Sequence, residues 1–179
     1  SVDTSSPAVI SAAAKAGADM INDVRALQVS GALAAVAATD LAVCLMHMQG
    51  QPQFMQQGPL YGDVFGEVCA FLVSRRSACE TGGIGRQRIC LDPGFGFGKT
   101  LSHNYQLLSR LNEFHGLGSP LLIGVSRKSM IGSVTGGNHP SDRLAGSLAG
   151  AMLAAAAGAQ IIRVHDVRET VDALKVFIA

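Results

Sequence analysis

The side chains best suited to chemistry in this sequence stand at the ends of short apolar runs. SVDT carries Asp3, ADMIND ends in Asn22 and Asp23, LAVCLMHM contains His47, and RICLDPG carries Asp92. PLLIGVS leads into Ser126-Arg127-Lys128-Ser129, and QIIRVHD holds Arg163 and His165. Two adjacent cations flanked by hydroxyls suit an anion or an electron-rich ring, although the same four residues also suit a solvated basic turn. Arg163 and His165 alternate along an extended run, so both project to one side as paired donors for a phosphate. A lone Asp after a strand is often the cap of the next helix. Repetition of the pattern at six run ends argues for one shared site.

The stretch LDPGFGFGKT, residues 91–100, looks at first like a phosphate cradle. A P-loop ending in Gly98-Lys99-Thr100 needs glycine at position 93, which is Pro93; a dinucleotide turn starting at Gly94 needs glycine at position 99, which is Lys99. Both readings fail on spacing. What remains is Asp92 at a run end, Pro93 stiffening the turn, and Gly94, Gly96 and Gly98 allowing close backbone approach to a ligand. A loop so rich in glycine cannot easily bury both Phe95 and Phe97, so one of them is expected to offer an aromatic wall. His47 fits either a core edge or a rim. His103, His115 and His139 read as bystanders, and the acids of 61–82 and 166–172 as solvated helix faces.

The apolar runs must be the elements that position these groups. They are short and apolar on successive residues, as strands covered on both faces are. Helical spacing and breakers predict helices over 7–16, 61–81, 104–114, 141–157 and 167–178, with a shorter one within 31–39. Strand–helix alternation without a hairpin argues for parallel βαβ units. Eight such units would make a (β/α)8 barrel, whose active site lies where the carboxyl ends of the strands converge. Six are present, so the fold class is α/β, a TIM (β/α)8 barrel represented by about strands 3 to 8 within one domain over 1–179. Two further units are expected to precede SVDTS. A doubly wound open sheet is the alternative, against which stands the missing G-x-G-x-x-G turn.

Composition narrows the class. The chain is 48% hydrophobic and 15% charged with net charge +1, and 5% of residues are aromatic. Nucleic-acid binding needs a basic face with interleaved aromatics, which this balance does not supply. The segment at 144–159 has Gly146-x-x-x-Gly150 but is Ala- and Gly-rich, which predicts close packing on a sheet rather than a membrane span. Cys44, Cys69, Cys79 and Cys90 show no C-x-x-C spacing; Cys44 and Cys90 read as small core residues in a reduced intracellular compartment.

Taken in order, SVDTS, INDVRAL, VCLMHMQGQP, LDPGFGFGK, GVSRKSMIG and IIRVHDV resemble the dihydropteroate synthases of folate biosynthesis over essentially the whole chain. The resemblance implies a homodimeric, cytoplasmic (β/α)8 enzyme. It would join p-aminobenzoate to 6-hydroxymethyl-7,8-dihydropterin pyrophosphate and release pyrophosphate with the help of Mg2+. It implies that Asp3, Asn22, Asp92 and Lys128 hold the pterin, with Met46 and Gly124 lining the slot. Arg163 and His165 would grip the pyrophosphate, and Phe97, Arg127, Lys128 and Ser129 would border the p-aminobenzoate site. No metal ligand is expected within this chain, because the family's magnesium-contacting Asn belongs to the loops expected upstream. For the same reason the isolated chain is expected to be inactive or nearly so. A pterin-dependent methyltransferase of the same fold and a non-catalytic pterin-binding remnant are the alternatives. RVHD and SRKS speak against the methyltransferase, which needs no phosphate grip.

Overall fold

A computed structural model describes residues 1–50 and 58–179. Gln51 and Pro52 of the VCLMHMQGQP motif lie outside the described residues. Six strands alternate with helices: β1 Val2–Asp3, α1 Pro7–Lys15, β2 Met20–Asp23, α2 Ala32–Ala37, β3 Ala42–Met46, α3 Val64–Thr81, β4 Ile89–Asp92, α4 Leu101–Ser109, β5 Leu122–Ile123, α5 Ser129–Thr135, α6 Leu144–Ala156, β6 Ile161–Ile162 and α7 Val167–Ile178. Short 3-10 turns cover Arg86–Arg88, Leu111–Leu117 and Pro140–Arg143.

All paired strands are parallel, and spatial order follows sequence order. β1 to β4 form one sheet, β5 pairs with β6, and a parallel bridge between Leu91 and Leu121 joins the two. An open doubly wound sheet reverses its strand order at a switch point; this arc does not. It is a segment of a (β/α)8 barrel.

Alternation sorts the strand residues onto two faces. Ile21, Val43, Leu45, Ile89, Leu91, Leu121 and Ile123 turn outward and pack with Ile10, Val36, Val68, Leu72 and Leu107 from the helices. Each such side chain, fully withdrawn from water, contributes about 1.5–3 kcal/mol. Cys44, Cys90 and Leu122, with Met20 and Ile161, form a separate small cluster on the inner face. The two inward cysteines are therefore core residues, as their apolar surroundings predict, and all four cysteines are free.

Capping chemistry moves several helix boundaries from those the periodicity predicts. α3 starts at Val64 because Asp63 accepts from the Phe65 amide. α4 starts three residues before the expected 104, where Thr100 and His103 exchange bonds in a capping box, and it gives way to a 3-10 turn after Ser109. Histidine is not the usual partner in such a box. α6 packs its glycines as expected: a Cβ on Gly150 would stand 2.7 Å from Val125 Cγ2. Among the described residues no helix is long and apolar enough to cross a membrane.

Candidate active site

Above the inner cysteine cluster the same alternation yields a polar layer. Asp3 and Asn22 are register partners at the ends of β1 and β2, and Asn22 Nδ2 donates to Asp3 Oδ2 at 2.8 Å. Asn22 is buried, and its Oδ1 has no hydrogen-bond partner among the described residues. A buried acceptor without a donor is costly, so this atom is poised for a ligand N–H. Met46, fully buried, is the register partner of Asp92.

Asp92 is 1% exposed and accepts from the Gly94 amide at 2.7 Å. Arg163 spans the layer, with Nη2 3.5 Å from Asp92 Oδ2 and Nη1 4.0 Å from Asp3 Oδ2. Gly124 makes room for it, since a Cβ there would stand 3.3 Å from the guanidinium nitrogens. Lys128 Nζ donates to the Phe95 carbonyl and lies 4.8 Å from the centre of the Phe97 ring. Burial pushes the Asp92 carboxyl up, against the pull of Lys128, the Gly94 amide and Arg163. Burial likewise lowers Lys128 to about 8, with Asp92 opposing and Arg163 reinforcing the shift.

A cavity of about 380 Å³ opens over this layer, lined by Phe97, Gly124, Ser126, Lys128, Arg163 and His165. A larger groove of about 560 Å³ runs between α4 and α6, but Tyr105, Leu108, Leu111 and Leu153 line it without convergent charge. The smaller, charged cavity is the better site for chemistry.

The glycine-rich loop is built to carry one aromatic wall. Gly94, Gly96 and Gly98 have φ of +71°, +77° and +58°, the left-handed region that glycine enters without strain. A Cβ on Gly94 would collide with the His47 carbonyl. Phe95 is fully buried beneath the loop, whereas Phe97 is partly exposed and faces the cavity. Asn104 holds the loop from α4, accepting from the Gly96 amide at 2.7 Å, and the Tyr61 hydroxyl donates to the Gly98 carbonyl at 2.8 Å.

Lys99 is the buried residue supporting the loop that spacing did not single out. It is 3% exposed, and its Nζ donates to the carbonyls of Gly94 at 2.9 Å and Phe97 at 3.1 Å. The same atom lies 2.9 Å from His47 Nδ1. An ammonium thus plugs the ring of carbonyls that the glycines turn inward. Burial lowers it to about 7, with Asp92 resisting and Lys128 adding to the shift. His47 falls to about 3, through burial first and then the charge of Lys99. It therefore sits at the core edge as a neutral ring packed edge-on against Phe71, and it braces the loop.

Other strand-end groups have different partners. Asp23 is buried and outside the polar layer; its carboxylate accepts from the amides of Arg25 and Leu27, both at 2.9 Å, and so holds a turn in which Ala26 and Leu27 take positive φ. Arg127, at φ +58°, ion-pairs with Asp166, which draws that carboxyl below the usual range. Asp166 is thus a tie between the β5–α5 and β6–α7 loops, which corrects its reading as part of a solvated helix face. The long sequence separation hid the pair. Ser129 is exposed at the start of α5, and neither it nor Arg127 is among the residues lining the cavity. β6 ends at Ile162, yet Arg163 and His165 both reach the cavity from just beyond it.

A parallel β/α arc with its polar layer at the carboxyl ends of the strands defines a barrel enzyme's active face. Residues 1–165 match the pterin binding enzyme family, and the chain belongs to it. It is 58% identical over 176 residues to dihydropteroate synthase from Escherichia coli strain K12, covering 98% of this chain and 62% of that protein. It is 52% identical to dihydropteroate synthase from Haemophilus influenzae, covering 99% of this chain and 64% of that one. The chain thus spans a little under two thirds of these relatives. Among solved structures, Yersinia pestis dihydropteroate synthase in complex with a sulfonamide drug superposes with a TM-score of 0.97 at 53% identity, over 99% of this chain and 64% of that one. The Xanthomonas albilineans enzyme in complex with 7,8-dihydropteroate gives 0.93 at 51%, over 99% and 66%.

Proposed function

We propose that this chain carries the pterin- and leaving-group-binding part of a dihydropteroate synthase, a transferase that condenses 6-hydroxymethyl-7,8-dihydropterin pyrophosphate with p-aminobenzoate. The observation that carries this reading is the polar layer itself: Asn22 with an open buried acceptor, Asp92 buried beneath Arg163, and Lys128 beside the Phe97 wall. In it, Asp3, Asn22 and Asp92 accept from the amino and N–H edge of the pterin while Lys128 donates to its oxygen and ring nitrogen. Met46 and Gly124 shape the slot. Arg163 leaves its ion pairs with Asp3 and Asp92 to stack on the ring and, with His165, to hold the pyrophosphate. Phe97, Lys128, Ser129 and Arg127 border the aryl amine. Relatives bound to 7,8-dihydropteroate and to 4-aminobenzoic acid support this substrate class.

The chemistry follows from the charges. Pyrophosphate leaves the pterin methylene carbon early, its developing charge met by Arg163 and His165, and the buried carboxylates stabilise the cationic pterin left behind. The amine of p-aminobenzoate then attacks that carbon. The Mg2+ that the resemblance implies does not fit these donors: Arg163, His165 and Lys128 are cationic or neutral N–H groups. Among the described residues no group of three or more His, Cys, Asp or Glu could hold a metal ion. The same proposal takes residues 1–179 as one pterin-binding barrel domain and the parent enzyme as a cytoplasmic homodimer.

Calorimetry tests the reading. The pterin pyrophosphate should bind this chain at least tenfold more tightly than the phosphate-free pterin, and Arg163→Ala should erase the difference. Equal affinity for both ligands in the unsubstituted chain would instead favour the methyltransferase or a bare pterin binder.

A further inference from the structure

We infer that Ser126 is a positioning residue that fixes the tautomer of His165, so that the ring always presents Nε2–H to an anionic ligand. The inference rests on the proposed role of Arg163 and His165 as a pyrophosphate grip, and deepens it. Ser126 is 4% exposed in the loop just beyond β5. Its Oγ lies 3.2 Å from the His165 backbone nitrogen and 3.1 Å from His165 Nδ1.

A backbone N–H can only donate, so it occupies a lone pair of Oγ. The hydroxyl hydrogen then has one acceptor among the described residues, Nδ1. In a neutral ring with Nδ1 accepting, the proton resides on Nε2. The opposite tautomer would place N–H against Oγ and strand a buried hydroxyl hydrogen, which disfavours it roughly tenfold or more. In the charged ring both nitrogens donate, Oγ accepts from Nδ1–H, and the hydroxyl hydrogen gives up its acceptor. Nε2 is therefore a donor in either charge state. Without Ser126, the neutral ring could present a lone pair to the phosphate oxygens.

The charged groups sharing this corner are Arg163 after β6, Lys128 and Arg127 from the β5–α5 loop, and Asp166 before α7. The backbone bond also explains how the hydroxyl finds the ring: it anchors residue 165 itself, so imidazole and hydroxyl keep one relative position.

Nitrogen-15 NMR of the His165 ring in this chain, without ligand and at a pH where the ring is neutral, tests the inference. The expected result is a dominant Nε2–H tautomer, a mixture in Ser126→Ala, and recovery in Ser126→Thr. Pyrophosphate affinity should fall by about twofold in Ser126→Ala where the ring is neutral, because a mixture leaves about half of the rings with Nε2–H, and should not change where it is charged. An Nδ1–H tautomer in the unsubstituted chain overturns the inference without any variant having to fold. An unchanged tautomer in folded Ser126→Ala, or an equal loss of affinity at both pH values, overturns it too. A tautomer that shifts as expected in a chain that binds no pyrophosphate leaves the positioning intact and refutes the proposed grip.

Discussion

Replacing Lys99 with methionine removes a buried ammonium and three short contacts while keeping most of the apolar stem. The Phe97 carbonyl and His47 Nδ1 lose their donor at a cost of about 1–3 kcal/mol each, while the Gly94 carbonyl keeps the Phe97 amide. Opposing this, burial of the charge lowers Lys99 from 10.5 to about 7. Between those values the unfolded chain binds more protons than the folded one, so the wild type gains stability as pH rises. The gain is about 1.4 kcal/mol per pH unit, and about 5 kcal/mol across the window as an upper bound. Lys99→Met lacks this term, and groups common to both chains cancel in the difference. Near pH 6 to 7 the two effects offset and the variant should unfold within about 2 kcal/mol of wild type. By pH 9 it should be less stable by several kcal/mol. Urea denaturation of both chains at pH 6, 7, 8 and 9 reads this directly. A stability difference that stays flat across that range would refute the idea that a buried, partly neutralised lysine organises the loop.

Further expectations follow from the same geometry. Gly94→Ala places a Cβ against the His47 carbonyl at φ +71° and should cost more than about 2 kcal/mol in chemical denaturation, whereas Gly17→Ala, at φ +84° with nothing within 4 Å, should cost about 1. Asp166→Asn breaks the tie to Arg127; because the arginine is partly exposed, the loss of stability should be small, and high salt should shrink it. Since Arg127 holds the Asp166 carboxyl below its ordinary pKa, the pair's contribution is present above the unfolded value and fades as pH falls through the folded one. Comparing the variant with wild type at pH 7 and below pH 3 checks that loss.

The barrel and its polar layer were legible because alternation along short apolar runs is local. Asp3 and Asp92 end their strands and Asn22 stands one residue before the end of β2, all three in the same phase of alternation, so one rule locates them on the inner face. The failure of LDPGFGFGKT as a phosphate motif was likewise a matter of counting, and the split between a buried Phe95 and a cavity-facing Phe97 followed from the crowding of so small a loop. Lys99 was not legible, because its partners are carbonyls that converge only when three positive-φ glycines fold the loop back. Asp166 looked solvent-facing because its arginine lies 39 positions away. Asp23 ended a strand in the same run as Asn22, yet one residue of register sends it outward to hold a turn. The start of α4 was misplaced because a histidine closes its N-terminal cap, and its end because the chain tightens into a 3-10 turn after Ser109.

The central claim is that the buried carboxylate under Arg163 recognises a pterin. Titrating 6-hydroxymethyl-7,8-dihydropterin and, separately, inorganic pyrophosphate into wild type and Asp92→Asn tests it most directly. An amide in that position keeps the shape but turns one acceptor into a donor facing the pterin N–H edge, which should weaken pterin binding about 10- to 100-fold. Pyrophosphate affinity should stay within several-fold, since Arg163 is only released from its partner. Undiminished pterin affinity in a folded Asp92→Asn chain would contradict the account.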